Sequence, residues 1–198
     1  MGKEKPRATN YCPSCGTQVP TYRTERDERT EIRCSYCGLP LGLTKTVQPG
    51  SGGCVAVVDD DNAFRTLLAD LLTQEGLAEE VLSCDSGPSF LTHLTQRFRL
   101  EQSVQLAILD IVMTPLDGVA AALAMRALER GFDRGTPIPV LFFSGAQATE
   151  ALRNAMARCA PAYYLNKGAD ITRDRLAARI RDIFGQVLSA GGETGGPA

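Results

Sequence analysis

Five apolar segments alternate with five helical patterns across residues 54–187, and this alternation constrains the fold more than any other feature of the sequence. Residues 54–58 (Cys-Val-Ala-Val-Val) are continuously apolar and stop at three aspartates, as expected for a strand that is buried on both faces. Four further segments have a comparable strand pattern: residues 79–84, 104–109, 138–143 and 162–165. Because a helical pattern separates each pair of consecutive strands, the sequence predicts a parallel sheet with helices on both faces.

The helical patterns fill the intervals between these strands. Apolar residues at helical spacing, followed by Gly76 as a C-cap, predict the first helix; they are Phe64, Leu67, Leu68, Leu71 and Leu72. The remaining helical patterns span residues 86–98, 118–130, 147–158 and 176–187.

Charged and polar side chains follow the predicted strands at their carboxyl ends, where open α/β sheets hold their ligands. These residues are Asp59, Asp60 and Asp61 after the first strand, Asp110 after the third, Ser144 after the fourth and Lys167 after the fifth. Carboxylates that converge repel one another unless a cation intervenes, and a hard divalent cation such as Mg²⁺ suits oxygen ligands. A metal, an ammonium group and a hydroxyl can together orient a phosphoryl group, which a carboxylate can accept. Asp61 or Asn62 is better explained as the N-cap of the next helix than as a ligand.

The order and spacing of these residues resemble the receiver domain of response regulators, the phosphoacceptor half of two-component signalling. The matching motifs are Val57-Val-Asp-Asp-Asp61, Ile108-Leu-Asp-Ile-Val-Met113, Leu116-Asp-Gly118, Val140-Leu-Phe-Phe-Ser-Gly145 and Tyr164-Leu-Asn-Lys167. The resemblance covers the whole second part of the chain. It implies a flavodoxin-like (βα)₅ fold with the parallel strand order 2-1-3-4-5.

The resemblance also implies roles for the acidic residues. Asp110 would be the phosphorylated aspartate. Asp59 and Asp60 would hold Mg²⁺, Asp60 more directly, together with the Asp110 carboxylate and the backbone carbonyl of Val112. The phosphoryl group would come from the phosphohistidine of a sensor histidine kinase or a phosphotransfer protein.

Three further residues have implied roles in transfer and switching. Ser144 would hydrogen-bond the phosphoryl oxygen, Lys167 would pair with it, and Tyr164 would swing inward as Ser144 moves. The protein would thus be a signalling phosphoacceptor that assists its own phosphotransfer and dephosphorylation, not an enzyme acting on separate substrates. A phosphatase of the haloacid-dehalogenase type would need Asp-x-Asp, which Asp110-Ile-Val112 lacks.

Two positions depart from the family pattern. Pro115 lies one residue later than usual after the phosphoacceptor, which predicts an altered loop with the site retained. Gly168 replaces the proline that usually follows the active-site lysine, so a cis bond is not expected there.

Four cysteines near the N-terminus form a second pattern. Cys12-Pro-Ser-Cys15 and Cys34-Ser-Tyr-Cys37 are two C-x₂-C pairs separated by eighteen residues, a spacing found in structural zinc sites. Two tight turns at the ends of a hairpin would complete a tetrahedral Cys₄ Zn²⁺ site with no open position, which resembles a zinc ribbon. Disulfides or a redox C-x-x-C pair are the alternatives. Residues 21–33, between the pairs, carry charges of alternating sign and are interpreted as a solvated loop.

Composition and charge divide the chain near residue 50. Residues 1–50 hold eight Lys/Arg and five Asp/Glu, whereas residues 51–198 hold thirteen and eighteen. We expect a zinc ribbon over 1–43, a flexible linker over 44–53, a receiver domain over 54–188 and a disordered tail over 189–198.

These features predict a cytoplasmic response regulator in which phosphorylation switches a protein–protein interaction. The output surface would be the ribbon or the face between the fourth helix and the fifth strand. A protein partner is favoured over nucleic acid because neighbouring acidic residues offset the positive charge of the ribbon's arginines. No membrane span is expected. Two alternatives stay open: an adaptor or localisation scaffold with a vestigial receiver, and a transcription regulator whose ribbon binds DNA.

Overall fold

A computed structural model describes residues 9–26, 29–42, 53–145, 147–168 and 172–191, which form two sheets and five helices. The first sheet is antiparallel, with order β1-β2-β3-β4. Its strands are β1 (Thr9–Cys12), β2 (Thr17–Arg26), β3 (Arg29–Cys34) and β4 (Pro40–Leu41). We call these four strands, with the turns between them, the N-terminal sheet.

The second sheet has five parallel strands in the order β6-β5-β7-β8-β9. The strands are β5 (Cys54–Val58), β6 (Glu80–Cys84), β7 (Leu106–Asp110), β8 (Val140–Ser144) and β9 (Ala162–Asn166). Counted from β5, this is the predicted order 2-1-3-4-5. Every residue of β5, β7 and β8 is buried, which explains why these segments are apolar without alternation.

Five helices connect and cover the parallel strands. They are α1 (Asn62–Gln74), α2 (Gly87–Arg99), α3 (Gly118–Gly131), α4 (Glu150–Arg158) and α5 (Arg173–Gly191). The first four begin at side-chain N-caps supplied by Asp61, Ser86, Asp117 and Thr149. Asp61 accepts a hydrogen bond from the Ala63 N–H at 2.8 Å, which confirms its interpretation as a cap.

Two hydrophobic cores lie on opposite faces of the parallel sheet. One core packs α1 and α5 against alternate strand residues such as Val57, Ile108 and Phe143. The other packs α2, α3 and α4 against the opposite residues, and it extends into buried side chains of the N-terminal sheet, including Val19 and Leu39. The two sheets therefore share a core.

Two sequence-based expectations about the ends and the connecting segments need correction. Residues 21–33 do not form a loop between the cysteine pairs: β2 and β3 pair in antiparallel register from Thr21↔Cys34 to Arg26↔Arg29. The hairpin expected to carry the two cysteine turns therefore includes residues 21–26 and 29–33, whose alternating charges do not interrupt the strands. The predicted tail over 189–198 is wrong in its first three residues, because α5 continues to Gly191.

The strand boundaries also shift. The third and fourth strands begin two residues later than predicted and extend to Asp110 and Ser144, since Asp110 still pairs with Phe143 in the ladder. Residues 44–52 of the predicted linker and residues 192–198 of the predicted tail lie outside the described residues. Within the described part of the chain, no helix has the length and apolarity to span a bilayer.

Candidate functional site

Three carboxylates meet at the carboxyl end of the parallel sheet. Asp59 directly follows β5 and is 1% exposed, Asp110 ends β7 and is 7% exposed, and Asp60 is open to solvent. Each of the three offers an oxygen atom, and these oxygens lie within 4.8 Å of one another. Such a set of hard oxygen ligands fits a divalent cation of the Mg²⁺ type.

Lys167 reaches into the same site from the end of β9. Its Nζ lies 2.9 Å from Asp59 Oδ2 and 3.2 Å from Asp110 Oδ2. The ammonium also lies 4.7 Å and 5.1 Å from the ring centroids of Phe64 and Phe143. These two rings cover the ammonium, so Lys167 is held against the carboxylates with its side chain only 12% exposed.

The environment of Asp110 alters its protonation. Burial raises the pKa of the Asp110 carboxyl above its ordinary value, the Lys167 ammonium opposes that rise, and the nearby Asp59 carboxylate adds to it. A cation bound between the two carboxylates would favour their ionised forms.

The fourth strand contributes Ser144, which is 2% exposed and stands at the end of β8. Its backbone carbonyl accepts a hydrogen bond from the Lys167 N–H at 2.7 Å. Because Asp110 pairs with Phe143 in the ladder, Ser144 lies one position further along the strand adjacent to Asp110. The structure thus brings the ends of β5, β7, β8 and β9 to one edge, as the sequence predicted.

The loop after Asp110 packs closely against the start of α3. Gly118 donates its N–H to the Ile111 carbonyl at 3.1 Å, and a Cβ at Gly118 would lie 2.0 Å from the Asp110 carbonyl oxygen. Only glycine fits such an approach. In the same loop Val112 is 74% exposed, and the Thr114–Pro115 peptide bond is cis.

The two departures from the family pattern leave Lys167 in place. Gly168 adopts a positive φ of 63°, and the Lys167–Gly168 bond is not among the cis bonds in the described part of the chain. The contacts of Lys167 with Asp59 and Asp110 are present without the usual proline.

Tyr164, the predicted switch residue, is 1% exposed on β9. Its hydroxyl accepts a hydrogen bond from Asn166 Nδ2 at 2.7 Å, and its backbone carbonyl accepts one from the Ser14 hydroxyl. Burial raises the pKa of the Tyr164 phenol. The ring lies in the core that the parallel sheet shares with the N-terminal sheet.

The four N-terminal cysteines form a compact cluster. Their Sγ atoms lie within 4.8 Å of one another, with Cys12–Cys37 at 3.6 Å and Cys15–Cys34 at 3.8 Å, and none is disulfide-bonded. One zinc with bonds of about 2.3 Å to four sulfurs would place tetrahedral ligands roughly 3.8 Å apart. The donor set and spacing therefore fit Zn²⁺.

Backbone N–H groups also contact this cluster. The N–H groups of Tyr36 and Cys37 point at Cys34 Sγ, at 3.3 Å and 3.4 Å. Hydrogen bonds with the neighbouring thiols raise the pKa of Cys15 and lower that of Cys34. Metal binding would require all four sulfurs as thiolates and would release the protons that they carry.

Sequence reasoning missed one functional candidate, Arg179 on α5. It is 6% exposed and joins the first cysteine turn to β9 through hydrogen bonds to backbone carbonyls. A signal was present in the sequence, because Arg179 lies three residues after Leu176 and four before Ile183, on the apolar face of the helix.

The fold and this acidic edge define a doubly wound α/β protein with a charged site at the carboxyl ends of its strands. The family model of the response regulator receiver domain matches residues 55–181, well over half of the chain. The chain therefore belongs to the receiver-domain family of two-component systems.

Comparisons with individual proteins agree with this membership. The chain is 30% identical over 98 residues to the CAI-1 autoinducer sensor kinase/phosphatase CqsS of Vibrio cholerae, covering 50% of this chain but only 13% of that relative. The receiver domain of the histidine kinase CKI1 from Arabidopsis thaliana, solved with Mg²⁺ and BeF₃⁻, matches with a TM-score of 0.53 and 23% identity over 69% of this chain and 89% of that one. The Vibrio cholerae chemotaxis protein CheY4 matches with a TM-score of 0.52 and 17% identity over 66% and 98%. These structural likenesses support the fold.

Proposed function

We propose that this protein is a two-component response regulator in which Asp110 accepts a phosphoryl group in the presence of Mg²⁺. The observation that carries the proposal is the contact of Lys167 Nζ with both Asp59 and Asp110, at 2.9 Å and 3.2 Å. A half-buried lysine shared by two carboxylates, beside a third, suits the binding of a metal–phosphoryl pair.

The proposed transfer begins with the ionised Asp110 carboxylate. One of its oxygens bonds to phosphorus while the phosphorus–nitrogen bond of a donor phosphohistidine breaks, and the electron pair stays on the imidazole. Asp59, Asp60, Asp110 and the Val112 carbonyl would hold Mg²⁺, which neutralises charge on the transferring group. The Lys167 ammonium and the Ser144 hydroxyl would contact the phosphoryl oxygens.

The partners follow from this chemistry. A sensor histidine kinase or a phosphotransfer protein would supply the phosphoryl group, and the chain would assist its own transfer and its later hydrolysis. The cysteine cluster would hold a structural Zn²⁺, because its four sulfurs leave no open coordination position. Free thiols suit a reducing compartment, which favours the cytoplasm.

The output would be a protein–protein interaction that involves the N-terminal sheet. The carbonyls of Pro13 and Ser14, in the first turn of this sheet, accept hydrogen bonds from Arg179 of α5. Movement of β9 or α5 would therefore displace this turn. Arg23 and Arg33 of the sheet stand among the acidic residues Glu25 and Glu31, which makes a nucleic-acid partner less favourable.

Intact-mass spectrometry after incubation with Mg²⁺ and acetyl phosphate tests the phosphoacceptor role. The wild-type chain should gain the mass of one phosphoryl group, and Asp110→Asn should gain none. Asp70→Asn, which changes an exposed aspartate on α1, is the matched control and should behave as the wild type. An unmodified wild type, or equal labelling of Asp110→Asn, would contradict the proposal.

A further inference from the structure

The first cysteine turn is attached to the edge of the parallel sheet by a set of hydrogen bonds that we call the turn junction. It consists of Pro13, Ser14, Asn166 and Arg179. The Asn166 N–H donates to the Ser14 carbonyl at 2.8 Å, so the turn adds a backbone bond to the edge strand β9. Arg179 donates to the carbonyls of Pro13, Ser14 and Asn166 at 2.6, 2.9 and 2.8 Å.

The turn junction is buried, which makes it a specific contact between the two sheets. Ser14 is 1% exposed, Asn166 8% and Arg179 6%. A guanidinium buried to this extent loses its hydration, and here three backbone carbonyls replace the water. Loss of the cysteine turn would remove two of these three acceptors.

The second cysteine turn contacts the same side of the receiver. Arg153 on α4 donates to the Tyr36 carbonyl at 2.6 Å. Cys15 and Tyr36 line a cavity of about 20 Å³ together with Tyr164 and Asn166. Both cysteine turns therefore rest on the surface formed by α4, β9 and α5.

A single peptide unit separates the turn junction from the phosphoacceptor site. Asn166 bonds to Ser14, and the next residue, Lys167, contacts Asp59 and Asp110 through its side chain. The Lys167 N–H is fixed in turn by the Ser144 carbonyl. The backbone that positions Lys167 is thus held from one side by β8 and from the other by the cysteine turn.

The shape of the cysteine turn depends on the cluster that encloses it. Cys12 and Cys15 flank Pro13 and Ser14, so four-sulfur coordination would fix the turn whose carbonyls face Arg179. Apart from its cysteines, the described part of the N-terminal sheet buries only two apolar side chains, Val19 and Leu39, and both lie in the core shared with the parallel sheet. Within the turn itself, four-sulfur coordination would supply most of the conformational constraint.

We propose that zinc loading of the cysteine cluster and phosphoryl loading of Asp110 favour each other through the turn junction. The inference rests on the phosphoacceptor role proposed above. Zinc would hold the backbone of the first cysteine turn in one conformation. The Ser14 carbonyl of that turn would then hold the backbone of Asn166, which places the next residue, Lys167, where its ammonium can contact the phosphoryl oxygens. Ordering Lys167 before phosphorylation lowers the entropy lost when the phosphoryl group binds.

Coupling of this kind is reciprocal, which gives two independent measurements. The first is the affinity of full-length protein for beryllofluoride with Mg²⁺, measured by titration calorimetry on zinc-loaded and chelator-stripped samples. The second is the zinc affinity, measured by competition with a chromophoric chelator, with and without beryllofluoride. Both affinities should rise by the same factor, on the order of tenfold.

The possible outcomes separate the two proposals. Beryllofluoride binding that is equal in the two samples, or stronger in the stripped one, overturns the coupling and leaves the phosphoacceptor role intact. Absence of beryllofluoride binding in both samples overturns the phosphoacceptor role and the coupling with it.

Variants of the turn junction supply a second test. Arg179→Met removes the guanidinium, and Ser14→Ala removes only the hydroxyl that donates to Tyr164, which disturbs the fold less. Both variants should retain one zinc. Both should also reduce the coupling factor, which is the ratio of the beryllofluoride affinities with and without zinc, and in Arg179→Met this ratio should approach one. Arg175→Met, an exposed arginine on the same helix, is the matched control. An unchanged coupling factor in zinc-loaded Arg179→Met and Ser14→Ala would contradict the role of the junction.

Discussion

The backbone N–H of Asn166 donates to the carbonyl of Ser14 at 2.8 Å, and this bond joins the first cysteine turn to the edge strand of the parallel sheet. The following residue, Lys167, contacts both buried carboxylates of the candidate phosphoacceptor site. Adjacent residues at the end of β9 therefore bond towards two sites of different ligand chemistry: Asn166 to the turn between two clustered cysteines, and Lys167 to the carboxylates.

The approach of Gly118 to Asp110 gives a stability prediction. Gly118→Ala would place a Cβ 2.0 Å from the Asp110 carbonyl oxygen, so the loop must shift, at a cost of about 3 kcal/mol. Gly131→Ala, in the same helix, meets no atom within 4 Å and should be neutral or slightly stabilising. Urea unfolding of the two variants measures the difference, and equal stabilities would contradict the close approach.

Removal of the Asp110 charge should stabilise the protein in the absence of metal. Burial raises the pKa of this carboxyl, so its contribution favours folding below its unfolded-state pKa and is lost as the pH rises through the folded-state pKa. Asp110→Asn should therefore melt at a higher temperature than the wild type at neutral pH without Mg²⁺. The difference should shrink as the medium is acidified, and a lower melting temperature at neutral pH would contradict the assignment.

Substitution of Lys167 should strengthen metal binding and slow phosphorylation. Lys167→Met removes a cation that competes for Asp59 and Asp110, so Mg²⁺ affinity should increase. The same change removes the ammonium that would stabilise negative charge on the transferring phosphoryl group. Phosphorylation by acetyl phosphate should therefore slow by about a hundredfold. Calorimetry and a mass-spectrometric time course measure the two effects. Weaker Mg²⁺ binding together with unaltered phosphorylation would be incompatible with the proposed role.

Zinc content tests the cysteine cluster. Metal analysis of the purified full-length chain should give one zinc per molecule, and Cys34→Ser should lose it because a fully coordinated site tolerates no missing ligand. Cys84→Ser changes a buried cysteine outside the cluster and should keep the metal. Stripping zinc should also increase hydrogen exchange at the Asn166 amide, since its acceptor Ser14 belongs to the cysteine turn. Wild-type protein that is free of zinc and folded would refute the zinc assignment.

The parallel sheet and the candidate phosphoacceptor site were largely predictable from the sequence. Strands buried on both faces leave continuous apolar runs, and the residues after them converge because parallel strands share a carboxyl edge. The predicted strands stopped one residue early at Asp110 and Ser144, since polarity indicates the end of an apolar run and not the end of a hydrogen-bonded ladder.

The contact between the two sheets was not predictable in the same way. It depends on carbonyls of Pro13 and Ser14, and backbone acceptors leave no trace in side-chain patterns. A hairpin was expected to carry the cysteine turns, but the extent of β2 and β3 was not predicted. Both faces of the central part of this hairpin carry polar residues, so neither face shows an apolar period of two. Arg179 on an apolar helix face was a side-chain sign of the contact.

Chemical mapping of the phosphorylated residue tests the central claim most directly. Full-length protein incubated with Mg²⁺ and acetyl phosphate is reduced with borohydride, which converts an aspartyl phosphate to homoserine, and the resulting peptides are sequenced by mass spectrometry. The proposed function predicts homoserine at position 110 and unmodified aspartate at Asp59 and Asp60. Homoserine at either of those two positions, or no conversion at Asp110 in a sample that has gained a phosphoryl group, would contradict it.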